Sequence, residues 1–373
     1  QGVFGMLKQL FQAIARRAHT AAPLTRRAAL AMYQARELRR LGYQFVPGPS
    51  GLPSDLLLRQ AADAQQGFQW KGQEDYDAVG DAVVAYVQGQ LVALCGLEPL
   101  PLPAQNAGEG GATTVVYATS SFREQTAPLL VLICGAPPGG SAGVWGRKLC
   151  INASLHEGAM FDYIFRAKQL GWSVLVANPN SNEIAGLPVS GSECSHLHLQ
   201  TMWNAYVAPA AASSVLVVAH SYGACAIAHL LKCEANALER IQAIAFTDGW
   251  VNPPGNLLRE VVPGVAASQG SASFLAEVAQ LAPLACQPAS ETVARRLAEV
   301  GRDFVSSQLP AGTPVAADRR GDGVPCVSAG HQEHPSTTHA ATEVVFAFLQ
   351  EGLKGRTATS NDELRERCRS AGC

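Results

Sequence analysis

From residue 113 onward, apolar blocks of strand length alternate with helical stretches. This rhythm constrains the chain more than any other feature. The blocks are TTVVYAT (113–119), PLLVLIC (128–134), WSVLVAN (172–178), VLVVAH (215–220), IQAIAFTD (241–248) and VPCVSAG (324–330). Between them lie GAMFDYIFRAKQLG, CAIAHLLKCEANAL and, near the end, AATEVVFAFLQEGL. Strands that are apolar at nearly every position are covered on both faces. Strand–helix–strand repetition then predicts a mostly parallel sheet with right-handed crossovers and helices on both faces. Upstream, Val79, Val83, Tyr86 and Val87 fall on one helical face. Residues 252–323 break the rhythm and are expected to form a helical cap.

One strand-to-helix junction carries chemistry. In VLVVAHSYGACAIAHLL (215–231), Ser221 stands between two apolar blocks. Ala219-His220-Ser221-Tyr222-Gly223 is one residue short of G-x-S-x-G, in which a strand turns sharply into a helix and lifts a nucleophilic serine above the sheet. Such a turn is strained and needs small neighbours, which Ala219 and Gly223 supply. A serine in an ordinary turn could instead merely cap the helix.

A serine hydroxyl becomes nucleophilic only when an imidazole takes its proton, and that imidazole needs an orienting acid. With this turn the chain order is serine, acid, histidine. Asp248, ending AIAFTD, is the expected acid, with Glu333 as the alternative. HQEHPSTTH (331–339) offers His331, His334 and His339. His334 is the expected base and His331 the alternative. An oxyanion needs two N–H donors. Tyr222 offers one, and the GAPPGG loop after 134 offers Gly135 or Ala136, since Pro137 and Pro138 have no N–H. The expected fold class is therefore α/β, of the α/β-hydrolase type. Its expected parts are a basic helical leader (1–41), a leading helical segment packed on the main domain (42–112), the hydrolase-like domain (113–355) and a charged tail (356–373).

Other chemistry finds less support. His331-x-x-His334 and His196-x-His198 lack acidic or cysteine partners at a telling spacing, so no metal and no cofactor is expected. GAPPGGSAGVWG lacks the Lys and Thr of a phosphate loop. NPNSN (178–182) follows a strand and either lines the pocket or forms an Asx turn. Ten cysteines contain no CxxC pair, and Cys134, Cys225 and Cys326 read as buried free thiols of an intracellular protein. A net charge of −2 predicts no direct nucleic-acid binding, and no apolar run reaches membrane-span length. The chain begins with Gln1, and Met6 is one possible start. Residues 1–42 carry eight basic side chains against Glu37 alone, a composition that suits a transit peptide or a solvated helix.

Taken together, VLVVAHSYGA, IAFTDGW, GRKLCIN, VLVANPN and PCVSAGHQEH resemble the Argonaute-binding protein two (Arb-two) domain, over roughly residues 42–352. That domain occurs in animal cotranscriptional regulators and in some fungal histone deacetylases. The resemblance implies an α/β-hydrolase fold with Ser221 at the nucleophile position. It also implies a role in small-RNA silencing, heterochromatin or cotranscriptional RNA processing, with Argonaute or chromatin proteins as partners in nucleus or cytoplasm. A transit leader would instead imply an organelle, and an active enzyme would take a small acyl substrate. Many relatives have His-Gly where this chain has Cys134-Gly135. Relatives often carry an Asp where His331 and Gln332 stand, which leaves Asp248 as the better acid here.

Overall fold

The computed structural model describes residues 34–104, 111–136, 140–249, 251, 290–316, 323–355, 362–364 and 366. Residues 1–33 of the expected leader, Pro137, Pro138, residues 252–289 of the expected cap and most of the expected tail lie outside the described residues.

Twelve strands are described: β1 Tyr43–Pro47, β2 Leu56–Gln60, β3 Leu97–Leu102, β4 Thr114–Thr119, β5 Leu129–Ile133, β6 Ser173–Val176, β7 Glu183–Ile184, β8 Leu187–Pro188, β9 Val215–His220, β10 Ile241–Thr247, β11 Gly301–Val305 and β12 Cys326–Ser328. Eight form one sheet in the order β12-β11-β10-β9-β5-β6-β4-β3. The six from β12 to β6 run parallel, while β4 and β3 pair antiparallel. One antiparallel strand near the start, followed by a parallel sheet in which β5 and β6 swap places, is the α/β-hydrolase arrangement.

The central strands are covered on both faces. Every residue of β5, β6 and β9 is buried. Their side chains alternate between two cores. Leu130, Leu132, Val174, Val176, Leu216 and Val218 point to one face. Leu129, Val131, Ile133, Leu175, Val215 and Val217 point to the other. This is the period-two alternation of a strand, hidden in sequence because both faces are apolar.

Helix α1 (Gln73–Ala93) buries Val79, Val83, Val87 and Leu91, spaced by four, in the first core. Tyr43 and Leu58 of the β1–β2 hairpin join the same core, so the segment before residue 113 shares apolar packing with the main sheet. Strands also form outside the expected rhythm, β3 and β11 of the main sheet among them. β3 falls inside the segment read as helical, and β11 falls inside the span read as cap. β3 is an edge strand holding Pro99 and Pro101, which remove two backbone donors and mask the strand signal. β11 is GRDFV, with charged residues where a buried strand is normally apolar. Arg302 lies over the Phe348 ring, 4.4 Å from its centroid.

Candidate active site

At the carboxyl edge, β5 and β9 are neighbours, yet their connections leave in opposite directions. Open α/β sheets bind ligands at such a switch point. Register pairs Ile133 with Ala219, so the loop after β5 and the turn after β9 emerge together. A Cβ on Gly135 would stand 3.0 Å from the Ser221 Cβ, so a larger residue would press on the serine.

Ser221 occupies the turn between β9 and α2 (Gly223–Cys233) at φ 52°. L-residues adopt this left-handed conformation only when the surroundings enforce it. The enforcement is local. A Cβ on Gly223 would meet the Cys134 carbonyl oxygen at 2.7 Å, which explains the small residue two positions after the serine. The Ser221 N–H donates to the Thr247 carbonyl across the sheet end at 3.2 Å.

Asp248 follows β10 and also adopts this conformation, at φ 52°. Thr247 pairs with His220 in register, so Asp248 and Ser221 leave adjacent strands at the same level. The Asp248 side chain is nearly buried. Its Oδ1 accepts from the Ser306 N–H at 3.3 Å. Its Oδ2 pairs with His334 Nδ1 at 2.7 Å. The His334 side chain is 43% exposed against 6% for Asp248, so the ring is anchored at one nitrogen and open to solvent beyond it. With the Nδ1 hydrogen directed at the carboxylate, the lone pair of the neutral ring resides on Nε2.

The expected acid and base are thus brought together. The alternatives are not. His331 Nδ1 accepts from the Glu333 N–H at 3.0 Å, and Glu333 is exposed. Among the described residues the Ser221 hydroxyl forms no hydrogen bond to His334; unliganded sites often tighten this contact only with substrate. Proximity comes instead through His220, the residue before the serine. Its ring stacks on His334, centroids 4.9 Å apart and tilted by 29°.

His220 is the principal residue that sequence reasoning missed. It is fully enclosed and, with Thr247 and Thr338, forms a closed polar knot. Its Nδ1 lies 3.0 Å from the Thr247 carbonyl and 3.0 Å from Thr338 Oγ1, and the two threonine hydroxyls are 2.7 Å apart. Burial first, then the charge of His334, pulls His220 down to about 3. It therefore stays neutral beneath His334. Its place next to the serine was the only sequence signal.

NPNSN does more than form a turn. Asn180 Nδ2 donates to the carbonyls of Gly135 at 2.7 Å and Gly140 at 2.8 Å, clamping both ends of the loop read as an oxyanion donor. Asn178 donates its N–H to His198 Nε2 at 3.1 Å, while His198 Nδ1 meets Ser192 Oγ at 2.7 Å. Accepting at Nε2 leaves the proton on Nδ1, and His198 is a sealed structural residue. His196 sits edge-on to Tyr222 with centroids 5.7 Å apart. Beside Asp248, a cleft of roughly 400 Å³ is lined by Val305, Ser306, Gln308, Val315 and Gln332. Cys134, Cys225 and Cys326 are buried and take part in no disulfide among the described residues.

The family model described as Arb2 domain matches residues 36–186. A FAM172 family protein homolog of Caenorhabditis elegans is 36% identical over 229 residues, 61% of this chain and 69% of that protein. The chain belongs to the Arb2-domain family. Cotranscriptional regulator ARB2A of Homo sapiens is 24% identical over 340 residues, covering 77% and 73% of the two chains. The match to residues 36–186 holds the Gly135 loop and Asn180. Ser221, Asp248 and His334 follow it. Among solved structures, the histone deacetylase Clr3 superposes with a TM-score of 0.41 at 12% identity, covering 77% of this chain and 46% of that one. AbyA5 superposes at 0.45 and 14% identity, covering 79% and 84%. Neither score bears weight here; the fold rests on strand order.

Proposed function

We propose that this Arb2-domain protein is a nuclear regulator of cotranscriptional RNA processing or small-RNA silencing, and that Ser221, His334 and Asp248 form a working serine-hydrolase triad within it. The observation that carries the second part is the 2.7 Å pairing of His334 Nδ1 with buried Asp248, beside a serine held at positive φ on the adjacent strand end. The first part draws on relatives named cotranscriptional regulators.

In this reading Ser221 Oγ attacks the carbonyl carbon of a small acyl ester, and its proton passes to His334 Nε2. Asp248 holds the ring and stabilises the imidazolium. The tetrahedral oxyanion is met by the N–H of Tyr222 and by that of Gly135 or Ala136. The carbon–oxygen bond to the leaving alcohol breaks, and His334 returns the proton to that oxygen. Water repeats the sequence on the acyl-serine and frees the acid.

A fluorophosphonate probe tests the chemistry: the full chain is expected to label covalently, and Ser221→Ala to remain unlabelled. An unlabelled wild-type chain refutes the hydrolase part. Affinity purification from the protein's own cells tests the regulatory part. Recovery of Argonaute, spliceosomal or chromatin proteins is expected, and recovery of metabolic enzymes alone refutes it.

A further inference from the structure

We infer that His156, Asp162 and His339 bind a divalent transition cation, Zn²⁺ foremost, at a site separate from Ser221. Three short elements converge there: α3 (Leu155–Gly158), α4 (Phe161–Gln169) and α5 (Thr337–Ala340). A ligand atom from each lies within 4.8 Å of the other two. Tetrahedral zinc with bonds near 2.0–2.2 Å places its ligands about 3.3–3.6 Å apart, so small side-chain rotations complete the set.

A second observation points the same way. His156 Nδ1 and Asp162 Oδ2 face each other in direct contact as an ion pair, and both atoms are shut off from solvent. A divalent cation held by both atoms would replace the proton they share, since histidine ligates only as the neutral ring. The His339 ring closes the third side, edge-on to His156 with centroids 4.6 Å apart. Further carboxylates surround the cluster. Glu157 acts electrostatically on His339, and His156 acts on Asp55.

The scaffold is already rigid. Tyr163, next to Asp162, donates its hydroxyl hydrogen to the Thr338 carbonyl, next to His339, at 2.8 Å. Arg166 Nη2 on α4 donates to Glu343 at 2.7 Å. Ser154 caps α3 by accepting from the Glu157 N–H at 3.2 Å. Two imidazoles and one carboxylate, with no thiolate, suit zinc over calcium or magnesium, and leave one position for water. Spacing disguises the site in sequence, because His339 is 177 positions from Asp162. His339 also lies five residues after His334, so the ion would staple the base-bearing loop to α3 and α4.

The test is metal retention by the full chain. After incubation with zinc sulfate and desalting, mass spectrometry of the metal is expected to find one zinc per chain. Asp162→Asn and His339→Ala should each weaken retention at least about tenfold, while Ser221→Ala retains a full equivalent. A wild-type chain without zinc overturns the inference, as do variants that retain zinc like wild type. Should His339→Ala fail to fold, the near-isosteric Asp162→Asn still decides. Loading with Co²⁺ guards against binding at cysteines: thiolate-to-metal charge-transfer absorption would place the ion elsewhere and refute the site. Retention is read without activity, so this result and the probe labelling of Ser221 stand or fall separately.

Discussion

Two corners of the same sheet edge put histidine to opposite uses. After β6, His198 is fully enclosed and accepts from the Asn178 N–H, while the side chains of Asn178, Asn180 and Asn182 bond neighbouring backbone groups. After β10 and β12, His334 is tied at one nitrogen and exposed at the other side. The closed corner shapes a loop. The open corner keeps a proton-exchanging group available. Burial with complete hydrogen bonding fixes a proton, while partial exposure lets it move.

The comparison can be broken most sharply by Asp248→Asn. The fold should survive, and any hydrolytic kcat should fall by roughly 10⁴-fold, because the imidazole loses its orienting charge. Unchanged turnover would show that the open corner works without this acid. At the closed corner, His198→Ala strips a partner from both the buried Asn178 N–H and Ser192 Oγ. It should cost about 3 kcal/mol in urea unfolding, with little loss of activity per folded molecule. A loss under about 0.5 kcal/mol would mean the corner is not closed.

Acid sharpens the contrast. Burial holds His196, His198 and His220 down to about 3 in the folded chain, against 6.5 for a free imidazole. Below pH 6.5 the unfolded chain therefore binds protons that the folded chain refuses. Stability should be full above about pH 6.5 and fall steadily as pH drops toward 3. Urea midpoints from pH 7 to 4 would measure this, with a shallower slope in His198→Ala. A flat profile would contradict the buried neutral state. The smallest effect is expected from Glu333→Gln. This exposed side chain should change stability by less than about 0.5 kcal/mol and turnover by less than twofold. A loss comparable to that of Asp248→Asn would transfer the acid's role to Glu333.

Much of the sheet was legible because β5, β6, β9 and β10 are apolar enough to announce burial on both faces. β3 escaped notice because prolines interrupt it, which only an edge position tolerates. β11 escaped because its buried Asp303 and packed Arg302 look like surface residues in isolation. The serine turn and the Asp248–His334 pairing followed from local chemistry and chain order. His220, Thr247 and Thr338 did not, since their hydrogen bonds join positions 27 to 118 residues apart. Asn180 was noticed without its task, because its partners lie 40 and 45 residues upstream.

The chain by itself determined its central strands, its serine-bearing turn and its family, because these depend on short-range pattern: apolar runs, small residues beside one hydroxyl, and motifs in order. Tertiary structure alone decided which histidine is sealed, which is exposed and which faces a carboxylate. A side chain's proton and partner depend on solvent access and on distances that close only when remote segments meet.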